Sequence, residues 1–213
     1  ELLDIAQIEV LKGPQGALYG RNATSGAIII TTRKPTAESE SSVVFGAGNN
    51  SSNKMQGVFS GKLSDNVFAR LTVSSRETDG ELLNDFTNTN NVDFFEDTTV
   101  RGRLLIDNDD SSWDLRVGSS KAEGGTINFN AVFALPAFQG FGTPGAEKFF
   151  LDVNDQDFKY IFNVPPVNEQ ETFDASLKFD KDLSNGNTLT FIAAYSDLEE
   201  YLMSDGTSGA FGA

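Results

Sequence analysis

Val67-Phe68-Ala69-Arg70-Leu71-Thr72-Val73-Ser74-Ser75-Arg76-Glu77 alternates between two kinds of side chain along the chain. Successive side chains of a β-strand point to opposite faces, so the alternation predicts a strand over residues 67–77. The predicted strand has one face of apolar residues and one of polar residues. The apolar face carries Val67, Ala69, Leu71 and Val73, and the polar face carries Arg70, Thr72, Ser74 and Arg76.

Six further segments repeat this two-residue alternation, which predicts an all-β fold. The segments are about 8–11 residues long, and a tilted β-strand needs about 9–11 residues to cross the hydrocarbon core of a bilayer. They cover residues 42–49, 54–63, 97–107, 113–121, 171–181 and 188–198.

The connections between these segments alternate in length. Short connections are predicted at 64–66, 108–112 and 182–187, and long ones at 78–96 and 122–170. Short turns on one side and long loops on the other are typical of outer-membrane β-barrels. The pattern therefore predicts a partial antiparallel transmembrane β-barrel of about seven strands.

A soluble antiparallel β-sandwich is the alternative explanation of the alternation, with the apolar faces turned inward. Two features favour the barrel. The polar face carries charge on nearly every predicted strand, as the lining of a water-filled lumen requires. The connection over 122–170 is also longer than a compact soluble domain normally contains without regular structure.

Composition excludes several classes of function. The 213 residues include no His and no Cys, which removes catalytic triads, thiolate nucleophiles and most zinc or haem sites. The chain has 16 Lys and Arg against 31 Asp and Glu, a net charge of −15, so we expect no nucleic-acid partner. No cofactor, resident metal or enzymatic activity is expected.

A hydrolase with two facing carboxylates is a weak third alternative, since Asp174 and Asp180 share a strand face but lie about 20 Å apart.

The first 36 residues differ in character from the rest. They carry four basic and three acidic residues, a net charge of +1, so the remaining residues sum to −16. Strands are predicted over Asp4–Lys12 and Ala27–Thr32, the second apolar on both faces and therefore buried on both. A turn at 13–16 and a connector of small residues at 17–26 separate them, and Pro35 ends the second strand.

Residues 8–30 read IEVLKGPQGALYGRNATSGAIII, and Arg33-Lys34-Pro35 follow shortly after. This stretch closely resembles the end of the plug domain in TonB-dependent outer-membrane receptors. One departure is Lys12, where the family usually has an Arg that pairs with carboxylates of the barrel. Lys retains the charge but cannot form a bidentate pair, so we expect a weaker contact. Ser25 likewise replaces the first Gly of the family's Gly-Gly pair.

The resemblance implies an architecture and a location. Residues 1–36 would be the C-terminal part of a plug domain, and residues 37–213 the N-terminal strands of a 22-stranded barrel in the bacterial outer membrane. The chain would thus be a fragment of a receptor that takes up a scarce nutrient with energy from the TonB complex, which it contacts through a missing N-terminal segment. Outer-membrane lipid is the second expected partner. The third is an extracellular ligand: a siderophore, haem, cobalamin or an oligosaccharide.

The same resemblance nominates residues in the plug. Lys12 and Arg21 are candidates for a plug–barrel latch that opens on transport, with a static ion pair or a solvated side chain as the alternatives. Gly13, Gly16, Gly20 and Gly26 are predicted to serve turns and close packing, because they lack the Lys-Ser/Thr ending of a phosphate-binding loop.

The long connection at 122–170 is rich in aromatic residues and lies outside the cell in the predicted topology. Four of them are candidates to stack on a ligand: Phe129, Phe133, Phe138 and Phe141. The alternative is that the aromatic side chains pack on each other and keep the loop folded. Asp152, Asn154, Asp155 and Asp157 resemble a calcium loop only loosely, since the required Gly and Glu are absent.

Two further aromatic residues are expected at the membrane interfaces. Trp113 begins a predicted strand beside a short turn, and Tyr195 lies farther along another strand. Aromatic girdles mark both interfaces of outer-membrane barrels. Ordinary packing within a sheet is the alternative.

An acidic, secreted or surface-bound β-sandwich binding module remains the alternative function.

Overall fold

The computed structural model describes residues 3–19, 23–84, 87–90, 92–125, 159–160 and 166–203. Nearly all regular structure in these ranges is β-strand, which confirms the predicted fold class. No helix among them is long and apolar enough to cross a membrane.

The chain begins with an antiparallel hairpin, which we call the N-terminal hairpin: β1 (Ile5–Lys12), one helical turn α1 (Gly16–Tyr19) and β2 (Gly26–Thr32). Ile5 faces Thr32 at its open end, and Lys12 faces Gly26 at its closed end. Gly13 has a φ of 85°, which only glycine adopts readily in such a turn. A Cβ added at Gly26 would lie 2.4 Å from the carbonyl oxygen of Leu11, so this position has no room for a side chain.

Seven strands form one antiparallel sheet, which we call the wall. In spatial order the strands are β11, β10, β8, β7, β5, β4 and β3. Two two-residue strands, β6 and β9, lie in the long connections. The bounds are β3 (Glu40–Ala47), β4 (Asn53–Ser64), β5 (Val67–Thr78), β6 (Leu83–Asn84), β7 (Phe95–Asn108), β8 (Ser111–Gly124), β9 (Lys159–Tyr160), β10 (Val167–Asp182) and β11 (Thr188–Met203).

All seven predicted alternating segments are strands of the wall, and each wall strand pairs with its neighbour in the sequence. The register aligns their two faces into continuous rows. One row on the first face runs Phe59, Leu71, Gly102, Val117, Ala175, Tyr195. The adjacent row on the opposite face runs Ser60, Arg70, Arg103, Arg116, Ser176, Ala194.

Burial on the wall is the reverse of that in a water-soluble protein. Polar side chains of one face are buried, among them Ser60, Arg70, Thr72, Ser74, Thr99 and Asp114. Large apolar side chains of the other face are exposed, among them Phe59, Leu71, Trp113, Val117, Phe173 and Phe191. Such a broad exposed apolar face needs an apolar medium beside it, and a lipid bilayer is such a medium.

The wall is a single open layer rather than a sandwich. Among the described residues, no second sheet covers its apolar face, so the soluble β-sandwich is not supported. Within the described ranges, the strands β3 and β11 each have one edge without a partner strand in the sheet. Open strand edges are not tolerated in lipid, because unpaired N–H and C=O groups there cost several kcal/mol each, on the order of the penalty for burying any unpaired polar group.

We therefore expect that the 213-residue chain, expressed alone, does not insert stably into detergent micelles or lipid bilayers. The measurement is the shift in gel mobility between heated and unheated samples, which reports a closed barrel. A heat-modifiable species from this chain alone would contradict the expectation.

The predicted short and long connections are present, with two corrections. The short turns lie at 65–66, 109–110 and 183–187, and the long connections follow β5 and β8. The connection at 48–52 lies on the side of the long connections but is short. The connection over 122–170 was predicted to lack regular structure, but Lys159–Tyr160 forms the strand β9. It pairs in parallel with β6 of the other long connection, so these two connections meet.

The strand β2 was predicted to be buried on both faces, and this is wrong for the chain as described. Ile28 is 68% exposed and Ile30 is 48% exposed. The physical reason is that β2 has only β1 as a strand neighbour among the described residues, so nothing covers its outer face.

Four glutamates form a row across the wall on the same face as the exposed apolar side chains. The row lies near the strand ends that join the long connections. Glu77 faces Glu96, Glu96 faces Glu123, and Glu123 faces Glu169 across β5, β7, β8 and β10. Directly opposed like charges destabilise a sheet, and charged side chains are costly in lipid. The row therefore lies beyond the apolar band, in the aqueous region of the long connections.

Candidate functional site

The open end of the N-terminal hairpin lies against the polar face of the wall, and this contact is the candidate functional site. Its centre is an ion pair between Asp4, which precedes β1, and Arg70 of β5. Arg70 Nε donates to Asp4 Oδ2 at 2.6 Å, and Arg70 Nη2 donates to Asp4 Oδ1 at 2.7 Å. The two parallel bonds form a bidentate pair, the strongest geometry available to arginine and a carboxylate.

The ion pair is buried and has further partners. The side chain of Arg70 is 3% exposed and that of Asp4 is 9% exposed. Arg70 Nη1 donates to Glu40 at 3.0 Å, which links the pair to the first residue of β3. Thr72 donates its hydroxyl to Asp4 Oδ2 at 3.2 Å, and Arg33 lies 4.0 Å from Asp4 Oδ1. Three segments of the chain therefore meet at one arginine.

Asp4 has an unusual backbone conformation and an ionised side chain. Its φ of 53° is in the left-handed region, which Asp tolerates better than most residues. Burial opposes ionisation of its carboxyl group, but the bonds from Arg70 and Thr72 outweigh that effect and place the pKa of Asp4 below its ordinary value. Asp4 is therefore a carboxylate at neutral pH.

Two further arginines bind the main chain of the hairpin. Arg101 Nη1 donates to the carbonyl oxygen of Leu3 at 2.9 Å. Arg103 Nη1 donates to the carbonyl oxygens of Thr32 at 3.1 Å and Arg33 at 3.0 Å. These acceptors lie at the beginning and end of the hairpin, so both of its strands are attached to β7.

Arg103 also forms the second buried ion pair of the site, with Asp114 of β8. The bonds are bidentate at 2.8 and 2.6 Å, and the side chains are 7% and 11% exposed. Arg116, which is 45% exposed, adds a bond to the same carboxylate at 2.8 Å. Asp114 therefore neutralises two arginines that face each other on β7 and β8.

The register explains why the site needs carboxylates. Arg70, Arg103 and Arg116 stand side by side on three neighbouring strands of one face, and adjacent like charges repel. Glu40 and Asp114 of the wall lie beside this row, and the N-terminal hairpin contributes Asp4. The hairpin thus supplies a carboxylate to this row of arginines.

The geometry suits attachment rather than catalysis. The carboxylates of the site are each bound by arginine rather than facing another carboxylate as a hydrolase requires. Asp174 accepts a bond from Ser196, and Asp180 from Lys178 and Thr190, so these two do not form a pair. Within the described part of the chain, no cluster of acidic residues could hold a metal ion.

The predicted plug residues occupy several environments. Lys12 lies exposed at the end of β1 and forms no ion pair within the described residues, so its role as a latch stays a prediction. Gly13 and Gly26 lie at the closed end of the hairpin, as expected of turn glycines. Gly16 begins α1, and a Cβ added there would meet no atom within 4 Å. Arg21 and Gly20 lie outside the described residues.

The predicted ligand-stacking residues also lie outside the described residues: Phe129, Phe133, Phe138 and Phe141. The same holds for the loose calcium loop at 152–157. Their roles stay predictions.

The two predicted interface aromatics lie on the apolar face. The ring of Trp113 lies 4.2 Å from that of Phe179, beside the short turn at 109–110. The ring of Tyr195 lies 6.3 Å from that of Phe173. Tyr195 is seven residues from the start of β11, within the length of about 9–11 residues that crosses a bilayer core. Both positions suit a girdle, which stays a prediction.

The residues that form the contact were not predicted from the sequence. Arg70 was assigned to a polar face, but its partner Asp4 was not identified, and neither were Arg101 and Arg103 with their acceptors. The available signal was the density of arginine on β5, β7 and β8 in a chain with an excess of acid. Buried arginines require carboxylates or carbonyl groups nearby.

The ion pair of Asp4 predicts a pH dependence. The pKa of Asp4 is lower when the hairpin is docked on the wall than when it is free. The ion pair therefore stabilises docking at pH values above the pKa of the free state. This stabilisation is lost as the pH falls through the lowered pKa of the docked state. In the full-length protein, we expect the protection of the main-chain amides of residues 30–36 against hydrogen exchange, relative to their intrinsic rates, to fall in acid. Asp4→Asn should show the lower protection already at neutral pH. Equal protection in the two proteins at neutral pH would contradict the prediction.

Comparison with curated proteins finds transport receptors. The pesticin receptor of Yersinia pestis is 26% identical over 121 residues, which cover 56% of this chain and 18% of the receptor. The vitamin B12 transporter of Vibrio vulnificus is 30% identical over 112 residues, 53% of this chain and 18% of the transporter. The ferrioxamine B receptor of Salmonella typhimurium is 37% identical over 79 residues, 36% of this chain and 11% of the receptor. No protein-family model matches the chain.

Solved structures show the same fold. The ferric yersiniabactin uptake receptor of Yersinia pestis superimposes with a TM-score of 0.74 at 17% identity, covering 94% of this chain and 29% of the receptor. The ferric-catecholate import receptor of E. coli in its open form gives 0.73 at 19% identity, covering 93% of this chain and 29% of the receptor.

Fold and site together define this chain as part of a β-barrel wall with a hairpin docked on its polar face, which is the fold of the solved outer-membrane receptors. Its homologues are TonB-dependent receptors, which are transport proteins of the Gram-negative outer membrane rather than enzymes. The chain spans less than a fifth of the length of the curated relatives it matches. It matches one part of such receptors.

Proposed function

We propose that this chain is part of a receptor that imports a scarce nutrient across the outer membrane with energy from the TonB complex. Residues 1–36 form the end of its plug domain, and residues 37–213 form the first strands of its barrel. TonB acts through a segment outside this chain. The imported ligand is a siderophore, haem, cobalamin or an oligosaccharide.

The observation that carries the proposal is the reversed burial of the wall. Buried Arg70, Arg103 and Asp114 stand on one face, and exposed Leu71, Leu115 and other apolar residues stand on the opposite face. A sheet of this kind has lipid outside and a polar lumen inside. The docked hairpin lies on the lumenal side, where a plug belongs.

The remaining residues have supporting roles in the proposal. Lys12 and Arg21 pair with carboxylates of later barrel strands and release them on transport. Phe129, Phe133, Phe138 and Phe141 contact the ligand outside the cell. The function needs no covalent chemistry and no cofactor.

The test is an uptake assay with the full-length receptor in a Gram-negative host that lacks its own receptors for the chosen ligands. Radiolabelled ferric siderophores of the catecholate and hydroxamate classes, haem, cyanocobalamin and maltooligosaccharides form the panel. We expect accumulation of one class that disappears in a host without TonB and in cells treated with a protonophore.

Two outcomes would contradict the proposal. One is that no ligand class binds or accumulates although the receptor is folded in the outer membrane. The other is uptake that is equal with and without TonB, which would indicate a passive pore. The matched variant Lys12→Met should reduce uptake while leaving the amount of folded receptor unchanged if Lys12 belongs to the latch.

A further inference from the structure

We propose that a groove between the end of the N-terminal hairpin and the polar face of β8, β10 and β11 binds a polyvalent anion with carboxylate or phosphate groups. We call it the arginine groove. Its volume is about 340 Å³, and Arg33 of the hairpin end, Arg116 of β8 and Ser176 of β10 are among its lining residues. The inference goes beyond nutrient uptake, because it concerns a binding site on the polar face itself.

The first argument is the charge of the arginine groove. Five arginines line it against two aspartates, in a chain that has 16 basic residues and a net charge of −15. The arginines are Arg33, Arg70, Arg101, Arg103 and Arg116, and the aspartates are Asp4 and Asp174. Asp114 and Glu40 also bind three of these arginines, yet the cations still outnumber the carboxylates. A cleft lined by one sign of charge concentrates ions of the opposite sign.

The second argument is that two of the arginines retain hydrogen-bond donors. The side chain of Arg33 is 57% exposed, and its ionic contact among the described residues is Asp4 at 4.0 Å, beyond hydrogen-bond distance. Arg116 is 45% exposed and binds Asp114 through Nε and Nη2, so Nη1 has no partner in the described part of the chain. A guanidinium group offers five N–H donors in a geometry that suits carboxylate and phosphate groups.

The third argument is the shape of the groove. Small residues of the polar face lie between its charged side chains: Gly118, Ser176 and Ala194. Gly118 faces Arg101 on one side and Asp174 on the other, so the space between these two is left open. Ser176 faces Arg116 and places a hydroxyl group beside it. An anion bound by Arg116 can therefore accept a second hydrogen bond from Ser176.

Binding has a consequence for the contact between hairpin and wall. Arg33 directly follows β2 of the hairpin, whereas Arg116 belongs to the wall. An anion that binds both arginines joins the two parts of the chain. Because a ligand stabilises the state that binds it, the anion should stabilise the docked hairpin in proportion to its occupancy.

The first test is a calorimetric titration of the purified full-length protein in detergent with pyrophosphate and with citrate. We expect saturable binding that added salt weakens. Ser176→Asp places a carboxylate opposite Arg116, where it competes with the anion, and should weaken binding at least about tenfold. Arg116→Gln should weaken binding by a similar factor, because a charged donor is lost.

Two matched variants serve as controls, and heat-dependent gel mobility verifies that every variant is folded. Ser176→Asn changes the size of the side chain as Ser176→Asp does but adds no charge, so it should bind nearly as tightly as the parent. Lys62→Gln removes a cation that binds Asp65 beside a short turn, away from the groove, and should leave binding unchanged. Equal binding by the parent and Ser176→Asp, or no saturable binding of either anion, would overturn the proposal.

A second measurement identifies the source of the anion, which is either an imported ligand with carboxylate groups or free phosphate. If the imported ligand occupies the groove, Ser176→Asp should slow uptake and Ser176→Asn should not. If free phosphate occupies it, uptake is unchanged, and phosphate should raise the Tm of the parent but not that of Ser176→Asp. A Ser176→Asp protein that matches the parent in uptake and in its response to phosphate would overturn the site. Anion binding by a protein that imports nothing would support the groove and count against the proposed function.

Discussion

Replacing Arg103 with Met in the full-length receptor should lower its free energy of unfolding by about 3–5 kcal/mol, the range seen when one partner of a buried ion pair is removed. Arg103 and Asp114 are almost fully buried and joined by two short bonds. The variant also loses the two bonds from Arg103 to the carbonyl oxygens of the hairpin. Urea-induced unfolding in detergent micelles, followed by tryptophan fluorescence, measures the change.

Matched variants separate the buried charge from the contact as a whole. Arg116→Met removes an arginine that is 45% exposed and bound to the same carboxylate, and it should cost less than about 1 kcal/mol. Arg103→Met combined with Asp114→Leu removes both charges and should recover much of the lost stability. A single Arg103→Met variant as stable as the parent would contradict the prediction and show that Arg116 alone satisfies Asp114.

Replacing Leu115 with Arg should make folding into a bilayer less favourable by about 2–4 kcal/mol, the cost of a cation near the middle of the lipid-facing surface of a barrel. Leu115 lies on the apolar face, opposite Leu104 on one side and Leu177 on the other. Its neighbour in the sequence, Arg116, points to the other face. The measurement is the folded fraction in phosphatidylcholine vesicles as a function of urea concentration.

Leu115→Ala serves as the control for lost side-chain volume and should cost less than the arginine variant, because it places no charge in lipid. A Leu115→Arg receptor that folds as well as the alanine variant would contradict the assignment of this face to lipid. The assignment of residues 37–213 to a barrel would then need revision.

The faces of the wall could be predicted because alternation is a local property. Residues 67–77 already separate Leu71 from Arg70, and antiparallel pairing of sequence neighbours then aligns these faces across the sheet. The two strands of the hairpin could be located because each is an apolar run, and the turn at Gly13 ends the first of them.

The contact between hairpin and wall could not be predicted in the same way. Asp4 and Arg70 are 66 residues apart, and only the register of β5 and the path of the hairpin bring them together. Lys12 was predicted to pair with the barrel because it lies in the plug motif. The ion pair that the structure describes is formed by Asp4, at the other end of β1. The exposure of β2 was not predicted. An apolar run indicates that a strand is buried, but it does not show which segment of the protein covers it.

Arg101 and Arg103 bind carbonyl oxygens of the hairpin, and Asp4 is the residue that contributes a side chain to the described hydrogen bonds there. A surface that binds main-chain atoms is indifferent to most substitutions in its partner. Hairpin and barrel can therefore diverge in sequence at different rates without losing their fit. A hairpin grafted from a related receptor should dock on this barrel whenever it follows the same backbone path and carries an acidic residue in the place of Asp4.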